Sequence, residues 1–256
     1  MSANAFYYLG TRMTAIERFD NDGVWMTQQQ CYRKAVELNP RFGNATFRLG
    51  STLSVIETIE VAGVSTTQQQ CYCKAAELDP RNTSAFLNLG HTLSASESID
   101  VNGVSMTGLQ CFRKAAELDP RCTKAFIAIG STLSASGSID VNGMSMTEQQ
   151  CYHKAAELDP RCARAFYNLG TTLSAGGSID VGGVSMTKRD CYQRALEIDP
   201  GKLSARNGLQ RLDREEAEIA AAAANHVPNR NRLTAFFIGE RDTQIASIEG
   251  AMLPSY

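Results

Sequence analysis

Lys74-Ala75-Ala76-Glu77-Leu78-Asp79-Pro80-Arg81 recurs residue for residue at 114–121 and again at 154–161. Ser-Ile-Asp-Val recurs on the same 40-residue spacing at 98–101, 138–141 and 178–181. Extended outward from these anchors, the chain falls into five rows, 1–40, 41–80, 81–120, 121–160 and 161–200, with no insertion or deletion. A fixed period of this size predicts a solenoid, in which each unit buries its apolar face against its neighbours. It also argues against catalysis. An active site is one asymmetric constellation, and nearly every polar residue here is one of five copies.

Residues 81–120 serve as the specimen. Ala85, Phe86, Leu89, Gly90 and Leu93 follow helical spacing and predict an amphipathic helix over 83–96, helix A. Apolar residues then alternate on both sides of Asn102-Gly103, a strong signal for a β-hairpin. The turn sets Val101 opposite Val104 and Ile99 opposite Met106 on one apolar side. The other rows place Asp22-Gly23, Ala62-Gly63, Asn142-Gly143 and Gly182-Gly183 at the turn; Ala62 is the poorest fit, because it resists a positive backbone angle. Thr107 and Gln110 have capping-box spacing at the start of helix B, as do Thr27/Gln30, Thr67/Gln70, Thr147/Gln150 and Thr187/Asp190. Cys111, Phe112, Ala115 and Leu118 form the apolar stripe of helix B, and Asp119-Pro120 ends it.

Phe86-x-x-Leu89-Gly90 in helix A, with Phe112-x-x-Ala115 and Pro120 closing helix B, resembles the tetratricopeptide repeat, whose unit is about 34 residues. The extra residues fall between the two helices, where the hairpin is. A second relative is the Sel1-like repeat, but the Glu-Leu-Asp-Pro ending favours the first. Two departures stand out: Thr46 replaces the first aromatic of row two, and the small residue usual early in helix B is instead Gln28, Gln68, Gly108, Glu148 or Lys188. The resemblance implies an all-α, right-handed solenoid of helix pairs, here with short hairpins along one edge. After the five units at 1–200, a capping helix is expected at 201–225, with Leu209, Leu212 and Ile219 inward, then a tail at 226–256 broken by Val227-Pro228. Helix A of the first unit has no helix B before it.

The chain holds 25 basic and 27 acidic residues, a net charge of −2, which offers no field to attract nucleic acid or an anionic membrane. There is no apolar run long enough for a membrane span and no signal peptide, so a cytoplasmic location with reduced thiols is expected. Cys31, Cys71, Cys111, Cys151 and Cys191 share one position of helix B. Stacked helix pairs hold such positions roughly 10 Å apart. A disulfide needs Cα atoms within about 7 Å, so core packing is favoured over a redox or metal ladder. His91, His153 and His226 occupy unrelated positions, and no metal or cofactor site is expected. The repeated carboxylates Glu37, Glu77, Glu117, Glu157 and Glu197 read as solvated partners of Lys34, Lys74, Lys114, Lys154 and Arg194. An enzyme would need Trp25, Arg48 and His91, from separate units, to converge.

In the family, peptides lie along the inner face of the A helices. The resemblance therefore implies a concave groove carrying Tyr7, Tyr8, Thr11, Phe47, Arg48, Ser51, Leu87, Asn88, His91, Ile127, Ala128, Ser131, Tyr167, Asn168 and Thr171, with Asn88 and Asn168 at the position that often holds a peptide backbone. The constellation that clamps a C-terminal carboxylate is absent. The groove reads as neutral, aromatic at both ends and hydroxyl-lined, so the expected function is a non-catalytic scaffold for an extended peptide or partner helix. The alternative is a structural protein that self-associates end to end through its first unit or its tail. The apolar Leu233-Thr234-Ala235-Phe236-Phe237-Ile238 of the tail is expected either to pack on the last repeats or enter the groove, in this chain or a neighbour, or to form a disordered end.

Overall fold

The structure is a computed structural model and describes residues 1–225. Two compact bodies divide the chain, Met1–Lys202 and the part from Leu203 onward. The first contains, in order, α1 (Ala3–Arg12), β1 (Arg18–Asn21), β2 (Val24–Thr27), α2 (Gln28–Leu38), α3 (Gly43–Thr52), β3 (Thr58–Val61), β4 (Val64–Thr67), α4 (Gln68–Leu78), α5 (Thr83–Thr92), β5 (Ser98–Val101), β6 (Val104–Thr107), α6 (Gly108–Leu118), α7 (Thr123–Thr132), β7 (Ser138–Val141), β8 (Met144–Thr147), α8 (Glu148–Leu158), α9 (Ala163–Thr172), β9 (Ser178–Val181), β10 (Val184–Thr187) and α10 (Lys188–Ile198). The 40-residue sequence period thus becomes helix, hairpin, helix five times over. Each helix pair packs along its length, and each B helix packs on the next A helix, so the layers stack in series.

Helix A is shorter than its periodicity predicts. It stops at Thr92 rather than 96, with Leu93 already extended at φ −91° and ψ 133°. A Ser-x-x-Glu turn follows it. Ser94 N donates to the Glu97 carboxylate at 3.2 Å and Glu97 N to Ser94 O at 3.1 Å. Glu17 and Glu57 close the same turn in the first two units.

The hairpins have the predicted register, with Val101 opposite Val104 and Ile99 opposite Met106. Both turn residues take positive φ in every unit, including Ala62 at 49° and Asn102 at 54°. Four turns are tied by an aspartate whose carboxylate accepts from the second turn residue, as Asp100 does from Gly103 N at 2.9 Å. The apolar side is only half covered. Val101, Val141 and Val181 are buried, while Val104 and Val184 at the tips stay exposed. Each hairpin lies against its own helix B and, from the second unit on, against the helix B before it. Cys73 Sγ to Asp100 O (3.2 Å), Asn102 Nδ2 to Glu77 O (3.2 Å) and His153 Nε2 to Asp180 O (2.5 Å) join helix B to the following hairpin.

The capping boxes form in all five B helices, Thr187/Asp190 included, and each B helix ends one residue short of the residue before proline. The Lys–Glu and Arg–Glu pairs form at 2.9 to 3.9 Å on exposed surface. The odd residues early in helix B gain a reason. Gln28 Nε2 donates to Gly10 O (2.9 Å) and Met13 O (2.6 Å), and Gln68 Nε2 donates to Gly50 O and Leu53 O, so the amide caps the end of the preceding helix A.

The core runs down the stack. A β-carbon on Gly90 would stand 2.5 Å from Phe112 Cε1, and one on Gly130 would stand 2.7 Å from Tyr152 Cε1, so the helix-B ring rests on the bare backbone of helix A. This contact between the end of A and the start of B makes the pair antiparallel. Cys31, Cys71, Cys111, Cys151 and Cys191 are buried beside it, and burial pushes the thiols up, to about 12 for Cys71, Cys111 and Cys151. Thr46, a buried polar residue, satisfies its hydroxyl on Phe42 O at 3.1 Å.

The second body contains α11 (Leu203–Asn225), close to the expected helix. Leu209 and Leu212 are half-buried, but Ile219 is 70% exposed and does not point inward as expected. The alanines at 220–223 sustain the helix by propensity, without burial. The expectations for Val227-Pro228 and for Leu233–Ile238 lie outside the described residues. Among the described residues no helix is long and apolar enough to cross a membrane.

Candidate functional site

The candidate site is the A-helix face of Met1–Lys202, on the side away from the hairpins. Position seven supplies a ring that leans on the helix-B ring of the same unit in the first, second and fifth units, and an aliphatic chain in the other two. Tyr7 lies 6.1 Å from Tyr32 and 4.9 Å from Phe42, Phe47 lies 5.6 Å from Tyr72, and Tyr167 stacks on Tyr192 at 5.7 Å and 29°. These three rings are half-buried, whereas Leu87 and Ile127 are buried and offer little surface. Tyr8, 64% exposed, sits edge-on to Tyr7 at 5.4 Å.

Position eight meets the helix-B ring of the unit before it. Arg48 acts electrostatically on the Tyr32 phenol, and Asn88 hydrogen-bonds the Tyr72 hydroxyl. The next rung loses both polar partners together: Phe112 has no hydroxyl, and Ala128 is buried. Asn88 is therefore partly engaged by the protein itself, while Asn168 is half-buried with no hydrogen bond of its own side chain among the described contacts.

Position eleven carries a hydroxyl in four of the five units. Thr11, Ser51, Ser131 and Thr171 are exposed, but each hydroxyl donates to the carbonyl three residues back, at 2.8, 2.7, 3.0 and 2.6 Å. Their protons are spent within the helix, and what remains for a ligand is acceptor capacity. His91 is exposed at its edge and packs its ring 4.8 Å from Phe112. Desolvation by these neighbours, then the charge of Arg164, holds its pKa below the usual histidine value.

Arg164 is the residue that sequence reasoning missed. It lies at the start of α9 and acts on both Tyr152 and His91. His91 belongs to α5, and α7 stands between the two helices in chain order. The available sequence signal was the absence of any acidic residue from the A helices, which leaves a basic residue there unpaired.

No protein-family model matches the chain, and no curated protein matches it. Solved structures do. A crystal structure of YrrB, described as a TPR protein with an unusual peptide-binding site, matches with a TM-score of 0.46 at 20% identity, over 72% of this chain and 82% of that one. The crystal structure of the yeast Tom70 matches with a TM-score of 0.46 at 15% identity, over 98% of this chain and 48% of that one. This chain spans about half the length of Tom70. Helix pairs stacked in series, with a hairpin inside every pair, make up the array.

Crevices also open beneath the hairpins. One of about 520 Å³ is lined by Phe126, Val141, Met144 and Met146, and equivalent ones of about 420 and 240 Å³ recur in the fifth and second units. They are one packing seam repeated, walled by the hairpin's own apolar side. Arg121, Gln150, His153 and Lys154 also line the crevice of the fourth unit, but the same wall recurs as packing in the other units, and the candidate site stays on the A-helix face. Among the described residues no group of three or more His, Cys, Asp or Glu is placed to hold a metal ion.

Proposed function

We propose that this protein is a non-catalytic cytoplasmic scaffold whose A-helix face holds an extended segment of a protein partner. Tyr7, Tyr8, Phe47, Arg48, Asn88, His91, Ser131, Tyr167, Asn168 and Thr171 form the contact row. The observation that carries this reading is the placement, along one face, of half-buried aromatic rings in the first, second and fifth units beside an exposed polar side chain at position eleven of every unit. Rings give apolar side chains of a peptide a rigid seat, and Asn168 and the cations orient its backbone and charges.

The test is site-specific photo-crosslinking in the full chain against a random peptide library. A photoreactive residue at Ser131 or Thr171 captures peptide, and one at Ser105 or Ser145 on the hairpins does not. Capture confined to the hairpin positions would sink the proposal. A second reading has its own observation: Tyr8, Ile16 and Trp25 of the first unit are 64%, 91% and 61% exposed. These suit self-association through that unit, and sedimentation at rising concentration decides it. A monomer throughout excludes that assembly.

A further inference from the structure

None of the five A helices contains an aspartate or a glutamate, yet together they carry Arg12, Arg48, His91, Lys124 and Arg164. The whole chain has 27 acidic residues against 25 basic ones, so this is a segregation and not a basic composition. The acids lie elsewhere. Glu37, Glu77, Glu117 and Glu157 are paired with lysines on the B helices, and Asp20, Asp100, Asp140 and Asp180 tie the hairpin turns. The cations of the A-helix face are unpaired by comparison. Neither Arg48 nor Arg164 has a carboxylate within ion-pair distance among the described residues. Arg48 instead holds its guanidinium 6.0 Å above Phe47, and Lys202 holds its ammonium 5.6 Å above Tyr167.

We propose that the segment held on this face is acidic: an extended stretch of a protein partner whose aspartate or glutamate side chains pair with Arg48 and Arg164. This rests on the groove reading above and names the chemistry of its occupant. Apolar side chains between the carboxylates lie on Phe47 and Tyr167. Arg48 and Arg164 sit three units apart, roughly 30 Å at the usual spacing of packed helices, so the negative charge must be spread along the segment. A phosphate group suits clustered arginines instead. The acidic hairpin side adds selectivity, because it repels the same partner and leaves one face open to it.

The experiment is fluorescence polarisation on the full chain with three peptides of equal length, alternating Leu with Glu, Gln or Lys, and an oligothymidylate as the fourth probe. The Glu peptide binds about tenfold or more tighter than the Gln peptide at low salt, and the advantage shrinks as salt screens the pairs. Arg48→Ala with Arg164→Ala removes that advantage, while Arg48→Lys with Arg164→Lys retains most of it; both side chains are exposed, so the fold survives either pair. On binding, the His91 ring signals shift in the NMR spectrum. Equal affinity for the Glu and Gln peptides, both crosslinking at Ser131, overturns the charge inference and leaves the groove reading standing. Binding of the Glu peptide that survives the double alanine variant, or tighter binding of the oligonucleotide, also overturns it. If no peptide binds, both readings fall.

Discussion

At the residue scale, the contact that sets the helix-pair spacing is a ring on a glycine. Gly90 and Gly130 fit the apolar period of helix A in the sequence, but nothing there shows that Phe112 and Tyr152 come to rest on them. Alanine is the better helix former by about 1 kcal/mol, so substitution on propensity alone would stabilise. Sterics oppose this, since a β-carbon on Gly130 would stand 2.7 Å from Tyr152 Cε1. The clash wins, and Gly130→Ala is expected to cost about 1–3 kcal/mol in urea unfolding; a gain would show that the ring yields freely. Gln28 was visible as a departure from the family pattern and illegible in purpose, because its partners, Gly10 O and Met13 O, are main-chain atoms of another helix.

At the scale of elements, the second hairpin is the weak one. Ala62 is held at φ 49°, and Glu60 stands where the other units have the aspartate that ties the turn. Ala62→Gly relieves the left-handed strain and is expected to raise stability by about 1 kcal/mol, read as a higher thermal midpoint; Ala62→Asn does so as well. An unchanged midpoint for both would mean that the turn is not strained. The loops after helix A divide the array by pH. Hydrogen bonds from Thr14 N and from Ser54 N hold Glu17 and Glu57 below the ordinary carboxylate pKa, and Gln69, then Ser94 N, do the same for Glu97. The folded pKa is the lower one, so this support is complete above the unfolded value and is lost as pH falls through the folded value. Gly137 and Gly177 replace the carboxylate in the last two units. Acid titration followed by amide exchange should therefore loosen the loops at Ser54 and Ser94 before those at Ser134 and Ser174, and Glu57→Gln should abolish the pH response at Ser54. Simultaneous loosening would contradict it. The caps, the turn pairs and the hairpin register were all legible in sequence, because each depends on residues within a few positions of one another. The early end of helix A at Thr92 was not, since Leu93 keeps helical spacing.

At the scale of the whole molecule, every unit meets its neighbour through the same surfaces, helix B against the next helix A and the next hairpin. Period and stacking were readable because the sequence repeats without slippage. The action of Arg164 on His91 was not, because the two residues belong to different units. Excising 81–120 joins Pro80 to Arg121 and lays the Asn142 hairpin where the Asn102 hairpin was. Such a chain should still melt cooperatively, at a lower temperature, in circular dichroism; loss of a sigmoidal transition would mean that the third unit is not interchangeable. The row of buried thiols has a further use. Each unit carries one at the same depth, protonated and shielded while that layer is closed. A brief pulse of alkylating reagent, read by mass spectrometry peptide by peptide, would therefore record which layer of the stack breathes first, with the chain as its own reporter.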